Sequence, residues 1–208
     1  PLSWSKPCRI FVNSMSDLFH EDVTDDFIDQ VFDVMWRCPQ HTFKILTKRV
    51  ARMVAYVQKR ASHRRFGWVD RDRHAMRPGD FISLDDIRMR NNVWLGFSAE
   101  NQQTFDDRAR LFRSLRETLG PHFVLFASLE PLLGPIDFDI QYWPGEDEPN
   151  IPWNALSAYD FSCGTETLSK PYIDWVIVGG ESGPGYRPMN VGWVQRIAED
   201  CYDAGVPL

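Results

Sequence analysis

The chain has 208 residues, 43% of them hydrophobic, with 8 Trp and 14 Phe, enough to bury a core without disulfide or metal staples. It carries a formal net charge of -6 and a pI near 5.4, so composition does not predict a generic electrostatic grip on nucleic acid. No apolar run approaches the roughly 18 residues of a membrane-spanning helix, and no membrane contact is expected.

The first apolar run, Arg9 to Met15, reads as a strand. Thr24 reads as the N-cap of a helix, with Asp25 and Asp26 in a first turn where they complement the helix dipole. Phe27, Ile28, Val31, Phe32 and Met35 follow at helical spacing. Phe43 to Thr47 is the next strand, and Ala51 to Arg60 the next helix. Val93 to Phe97 is a third strand. Thr104 and Asp107 have capping-box spacing at the start of a helix with the apolar face Phe105, Ala109, Phe112, Leu115 and Leu119, ended by Gly120-Pro121. Phe123 to Ala127 and Trp175 to Val178 are the fourth and fifth strands. Asn190 caps a last helix that carries Cys201 on its apolar face and stops at Gly205, and a further strand is expected from Val206.

Strands apolar at consecutive positions are expected to be buried on both faces. With helices between them they predict an α/β fold with parallel strands. Asn13-Ser14-Met15-Ser16-Asp17 lacks the glycines of a dinucleotide fingerprint, which favours a partial (β/α) TIM-like barrel over a doubly wound sheet. One domain over 1–208 is expected, with loop insertions at about 61–90 and 137–172. The start at Pro1 and the end at Val206-Pro207-Leu208 suggest a barrel without its first and last strands. The first insertion carries Arg64, Arg65, Arg71, Arg73, Arg77, Arg88 and Arg90 around Phe66 and Trp68, a composition that can touch phosphates and stack on bases. A solvated loop is its plainer reading.

Cys8, Cys38, Cys163 and Cys201 include no pair at metal-ligand spacing. Ser3-Trp4-Ser5-Lys6 leads into no leader-type apolar run, and a reduced, cytoplasmic setting is expected. Asp17 and His20 make a metal site conceivable, although a lone loop histidine is ordinarily a surface hydrogen-bonding group. His41, ahead of a strand, reads as structural.

Ligands of parallel α/β folds bind at the carboxyl ends of the strands, and here every strand ends in polar residues. The first gives Ser16 and Asp17, the second Lys48 and Arg49, and the third Ser98, Glu100 and Asn101. The fourth gives Ser128 and Glu130. The fifth gives Gly179, Gly180, Glu181, Ser182 and Gly183, a loop able to present N–H groups to a phosphate, carboxylate or ribose. Rim salt bridges are the alternative use of the charged residues. Glu100, Glu130 and Glu181 also fit a hydrolase, with or without a divalent metal. A non-enzymatic module that contacts nucleic acid or protein through the Arg-rich insertion is a further alternative.

The blocks RIFVNSMSDLFHEDV (9–23), CPQHTFKILTKR (38–49), NVWLGFSAEN (92–101), FASLEPLLGPI (126–136) and DWVIVGGESGPGYRPM (174–189) resemble a family of phage and bacterial proteins of unknown function related to the radical S-adenosylmethionine (SAM) enzymes. The resemblance implies a partial barrel of radical-SAM type. It implies SAM as cofactor, with Ser16, Asp17, Ser98, Glu100, Asn101, Gly179, Gly180, Glu181 and Ser182 around it, and Lys48 and Glu130 facing SAM or substrate as candidate catalytic groups. It also implies a [4Fe–4S] cluster on an upstream cysteine motif, which this sequence lacks.

Overall fold

The structure is a computed structural model, and it describes residues 1–62, 66–67, 81–82, 92–120, 123–140, 153–157 and 171–208. Five long strands are β1 (Arg9–Val12), β2 (Thr42–Thr47), β5 (Val93–Ser98), β6 (Val124–Leu129) and β9 (Trp175–Val178). They form one parallel sheet in the order β1-β2-β5-β6-β9. The short antiparallel pairs β3 (Phe66–Gly67) with β4 (Phe81–Ile82), and β7 (Asp139–Ile140) with β8 (Trp153–Asn154), stand apart from it. The helices among the described residues are α1 (Asp25–Trp36), α2 (Val50–Ser62), α3 (Gln102–Leu119) and α4 (Val191–Ala204).

In the large sheet each strand neighbours the next long strand along the chain. A doubly wound sheet would reverse this order at a switch point, whereas a (β/α) barrel does not. The described strands run in that sequential order without such a reversal.

The chain divides into two compact units, Pro1–Leu95 with Ser114–Phe123, and Gly96–Arg113 with Val124–Leu208. In unit 1, β1 and β2 pair in parallel from Arg9 opposite Thr42 to Val12 opposite Ile45. Burial there corrects one expectation. β2 alternates half-buried and buried, and β1 alternates exposed and half-buried, with Phe11 45% exposed. β2 therefore has one buried face, and β1 has none. β1 also ends at Val12 rather than Met15. Asn13 takes a left-handed φ of 58°, which asparagine tolerates better than most residues, and its carbonyl accepts from the Ser16 N–H at 3.0 Å.

Helix α1 starts where Thr24 Oγ1 accepts from the Phe27 N–H. The α1–α2 contact is polar at its rim. Asp25 receives Arg52 at 2.6 Å and Lys59 at 2.8 Å, and Asp29 receives the Tyr56 hydroxyl at 2.5 Å together with Arg60. The Lys59 ammonium and then the Arg52 guanidinium hold the Asp25 carboxyl below its ordinary value. His41 is buried, and its Nδ1 accepts from the Cys8 N–H at 3.2 Å.

Unit 2 holds β6, with every residue from Leu125 to Leu129 buried. Phe97 packs edge-on against Phe112 at 4.9 Å and beside Phe105 at 5.8 Å, so this side of β5 faces α3. The far end of the Phe126 ring abuts Gly96. A Cβ on Gly96 would fall 2.4–2.6 Å from three atoms of that fully buried ring.

The start of α3 differs from expectation. Its N-cap is Asn101, whose Oδ1 accepts from the Thr104 N–H at 3.1 Å, while Thr104 Oγ1 accepts from the Asn101 N–H at 3.2 Å. The reciprocal box is Asn101 with Thr104, one turn ahead of the Thr104–Asp107 spacing. Asn190 and Gly205 cap α4 as expected, and Cys201 is buried on its inner face. Residues from Val206 are not strand, but the Val176 N–H donates to the Pro207 carbonyl at 3.0 Å.

The described flanks of the second insertion belong to the core rather than to an open loop. Phe138, Ile140, Trp153, Leu156, Tyr172 and Ile173 are buried. Trp153 and Tyr172 meet edge-on at 4.9 Å, and the Arg113 guanidinium lies over both rings. Residues 141–152 and 158–170, with Cys163, lie outside the described residues, as do the arginines of the first insertion and Trp68.

Candidate functional site

Unit 2 contains the carboxyl ends of β5, β6 and β9 with the tails that follow them. Backbone bonds lace these tails together. The Ala99 N–H donates to the Ser128 carbonyl at 2.9 Å, Leu133 N–H to the Glu100 carbonyl at 2.8 Å, and Leu132 N–H to the Gly179 carbonyl at 2.8 Å. The rim therefore brings Ser98, Glu100, Asn101, Ser128, Glu130 and the glycine loop from Gly179 into one framework.

The three rim glutamates have different partners. Glu100 meets Arg108 at 3.2 Å in a pair whose side chains are both mostly covered, and the same guanidinium donates to the Ser98 carbonyl. Arg187 grips Glu181 with Nη2 on Oε1 at 2.6 Å, and with Nε and its own backbone N–H on Oε2, both at 2.8 Å. These bonds from Arg187 lower the Glu181 carboxyl to about 2. Glu130 is exposed and accepts from the Ser128 hydroxyl at 3.0 Å. Among the described residues its carboxylate has no cationic partner.

Glu130 lies directly against Gly179. A Cβ there would stand 2.1 Å from Glu130 Oε1 and 2.9 Å from its Cδ. Gly180 and Ser182 are exposed beside it. Gly183 and Gly185 have φ of 103° and 78°, the left-handed region that glycine enters without strain. Asn101 is exposed, with Oδ1 committed to capping α3.

Unit 1 holds the other predicted site residues. Asp17 Oδ1 accepts from the Phe19 N–H at 2.9 Å and the Thr47 hydroxyl at 2.8 Å. Its Oδ2 faces the same hydroxyl at 2.9 Å, Arg49 Nη1 at 3.1 Å and the Lys48 N–H at 3.4 Å. The carboxylate thus ties the turn after β1 to the end of β2. Ser16 and Lys48 are exposed. His20 Nδ1 sits 3.4 Å from Asp22 rather than on Asp17.

A [4Fe–4S] cluster needs converging thiolates. Cys8 and Cys38 lie in unit 1, Cys38 buried, and Cys201 is buried under α4 in unit 2. Burial raises the Cys201 thiol to about 11, the opposite of what a thiolate ligand requires. Among the described residues no group of three His, Cys, Asp or Glu could hold a metal ion. The described residues do not fit such a cluster.

Two cavities lie away from the rim. One of about 490 Å³ in unit 2 is lined by Asp137, Asp139, Asp200 and Asp203 with Arg196 and Phe138. One of about 440 Å³ in unit 1 is an apolar groove between β1 and α1. Neither cavity had a signal in the sequence, and neither did the Arg108 and Arg187 contacts, which depend on how a helix and a loop fold back.

The fold is that of an α/β protein with a five-stranded parallel sheet, whose strand ends carry a polar rim. Over residues 1–208 the chain matches the family described as "Protein of unknown function (DUF5131)", and it belongs to that family. No curated protein and no solved structure matches it. No helix among the described residues is long and apolar enough to cross a membrane.

Proposed function

We propose that the strand-end rim of unit 2 binds S-adenosylmethionine or a ligand of the same nucleoside chemistry, as the resemblance of the sequence blocks to a family related to radical SAM enzymes implies. The observation that carries this reading is Glu130, an exposed carboxylate at the end of a buried parallel strand, held by Ser128 and laid against Gly179. A carboxylate so placed accepts from ribose hydroxyls or pairs with an ammonium group. The bare backbone of Gly179 and Gly180 lets a ligand come close. Glu100 and Glu181 already face arginines, so Glu130 is the rim glutamate with charge to offer. No redox step follows from the described residues.

Calorimetric titration with SAM, S-adenosylhomocysteine and adenosine tests the reading. Wild type is expected to bind at least one of them in the micromolar range, and Glu130→Gln to weaken that binding about tenfold, or roughly 1.4 kcal/mol. No heat and no change in Tm with any of the three at millimolar concentration overturns it.

A further inference from the structure

We propose that Gly179 is a positioning residue: its missing side chain forms the seat in which the Glu130 carboxylate lies, and ligand binding depends on Gly179 through Glu130. The proposal rests on the rim being the ligand site. Unlike Gly183 and Gly185, Gly179 does not have a left-handed φ, so its backbone conformation is open to alanine and the turn does not require glycine. What requires it is space. The three atoms nearest an added Cβ all belong to Glu130, namely Oε1 at 2.1 Å and Cδ and Cγ at 2.9 Å.

The backbone at this position is pinned from both sides. The Gly179 N–H donates to the Leu129 carbonyl at 3.3 Å, and its carbonyl accepts from the Leu132 N–H at 2.8 Å. The exposed carboxylate is the freer partner, so an added methyl displaces Glu130 rather than the tail of β9. Ser128, only 2% exposed, anchors the other oxygen from below. Seat and anchor together fix one carboxylate orientation before any ligand arrives, and such preorganisation raises affinity by removing an ordering penalty.

Calorimetry with S-adenosylhomocysteine on wild type, Gly179→Ala, Glu130→Ala and the double variant provides the test. Each single variant is expected to weaken binding about tenfold, and the double variant no more than Glu130→Ala alone, because the alanine methyl then has no carboxylate to displace. Adding Glu130→Asp to Gly179→Ala is expected to restore part of the affinity, since the shorter side chain clears the methyl. Wild-type affinity in Gly179→Ala, or losses that multiply in the double variant, overturns the proposal. If wild type binds none of S-adenosylmethionine, S-adenosylhomocysteine and adenosine, the ligand reading fails separately. The seat is then decided in the free protein by the nuclear Overhauser effect between the Glu130 Hγ and Gly179 Hα protons, whose absence overturns it.

Discussion

Asp17 in unit 1 and Glu130 in unit 2 are carboxylates in the same kind of place, just past the end of a parallel strand, and their surroundings give them opposite roles. Asp17 is side-on to the end of β2, where the Thr47 hydroxyl, the Lys48 N–H and the Arg49 guanidinium all reach it. Glu130 meets a serine hydroxyl at the end of the strand before it and a glycine just past the end of β9. A strand-end carboxylate becomes a tie when a neighbouring tail brings donors to it, and stays available when the neighbour brings bare backbone. Position at the rim alone does not distinguish the two.

The largest expected effect separates them by stability. Asp17→Ala removes a mostly covered charge and leaves the Thr47 hydroxyl and two backbone donors without their acceptor, a loss of about 3 kcal/mol. Glu130→Ala at an exposed position is expected to change stability by about 0.5 kcal/mol or less. Urea denaturation of both variants checks this. Comparable losses would mean that Glu130 is a structural tie as well.

Two glycines of unit 2 sharpen the contrast at the next level. Gly96 is crowded by Phe126, a fully buried ring, so Gly96→Ala is expected to lose about 2 kcal/mol by overpacking. Gly179 is crowded by a solvent-facing carboxylate, so Gly179→Ala is expected to leave Tm within about 2 °C of wild type. Equal melting losses in the two variants would show that Glu130 is held as firmly as the buried ring.

The five strands were legible because runs such as Val93–Phe97 and Phe123–Ala127 are apolar at successive positions, and the rim was legible because polar residues follow each run. Burial at successive positions holds at β5 and β6 and fails at β1, β2 and β9, because an apolar run does not report how completely each face of a strand is covered. Asn13 ended β1 early through a backbone conformation that no spacing announces. The start of α3 was misplaced by one turn because asparagine and threonine both make caps, and only the bonds show which one does. The use of each rim carboxylate was the least legible part. Thr47 lies thirty residues from Asp17, and Arg187 reaches Glu181 only across a turn through Gly183 and Gly185.

Asp200 is a carboxylate of a third kind, lining the acidic cavity of unit 2. Burial raises its carboxyl above the ordinary value, with Asp137 and Asp139 adding to the effect and Arg196 opposing it. A raised carboxyl favours the protonated form in the folded state. Stability is therefore gained as pH falls through the folded-state value and is reduced near neutrality. Asp200→Asn is expected to gain up to about 1 kcal/mol at pH 7, because the bridge it gives up is to an exposed arginine and contributes little. The advantage should shrink as pH is lowered. A loss of stability at pH 7 would show that the Arg196 pair outweighs the burial.

The smallest effect concerns Glu181, where a strand-end carboxylate is gripped from within its own loop. Arg187 lowers its carboxyl to about 2, so any stability from the clasp is fully present above the ordinary carboxylate range and is lost only as pH falls through about 2. The pair is solvent-facing, and Gly183 and Gly185 between its members have open space around them. Breaking it is therefore expected to free the loop without unfolding unit 2. A carbon-13 titration of the Glu181 carboxyl should give a midpoint near 2 in wild type and one near 4.3 in Arg187→Ala, with the global melt unchanged. A wild-type midpoint in the ordinary range would mean that the clasp is open in solution, leaving the rim with two unpaired carboxylates and weakening the distinction between Glu130 and its neighbour.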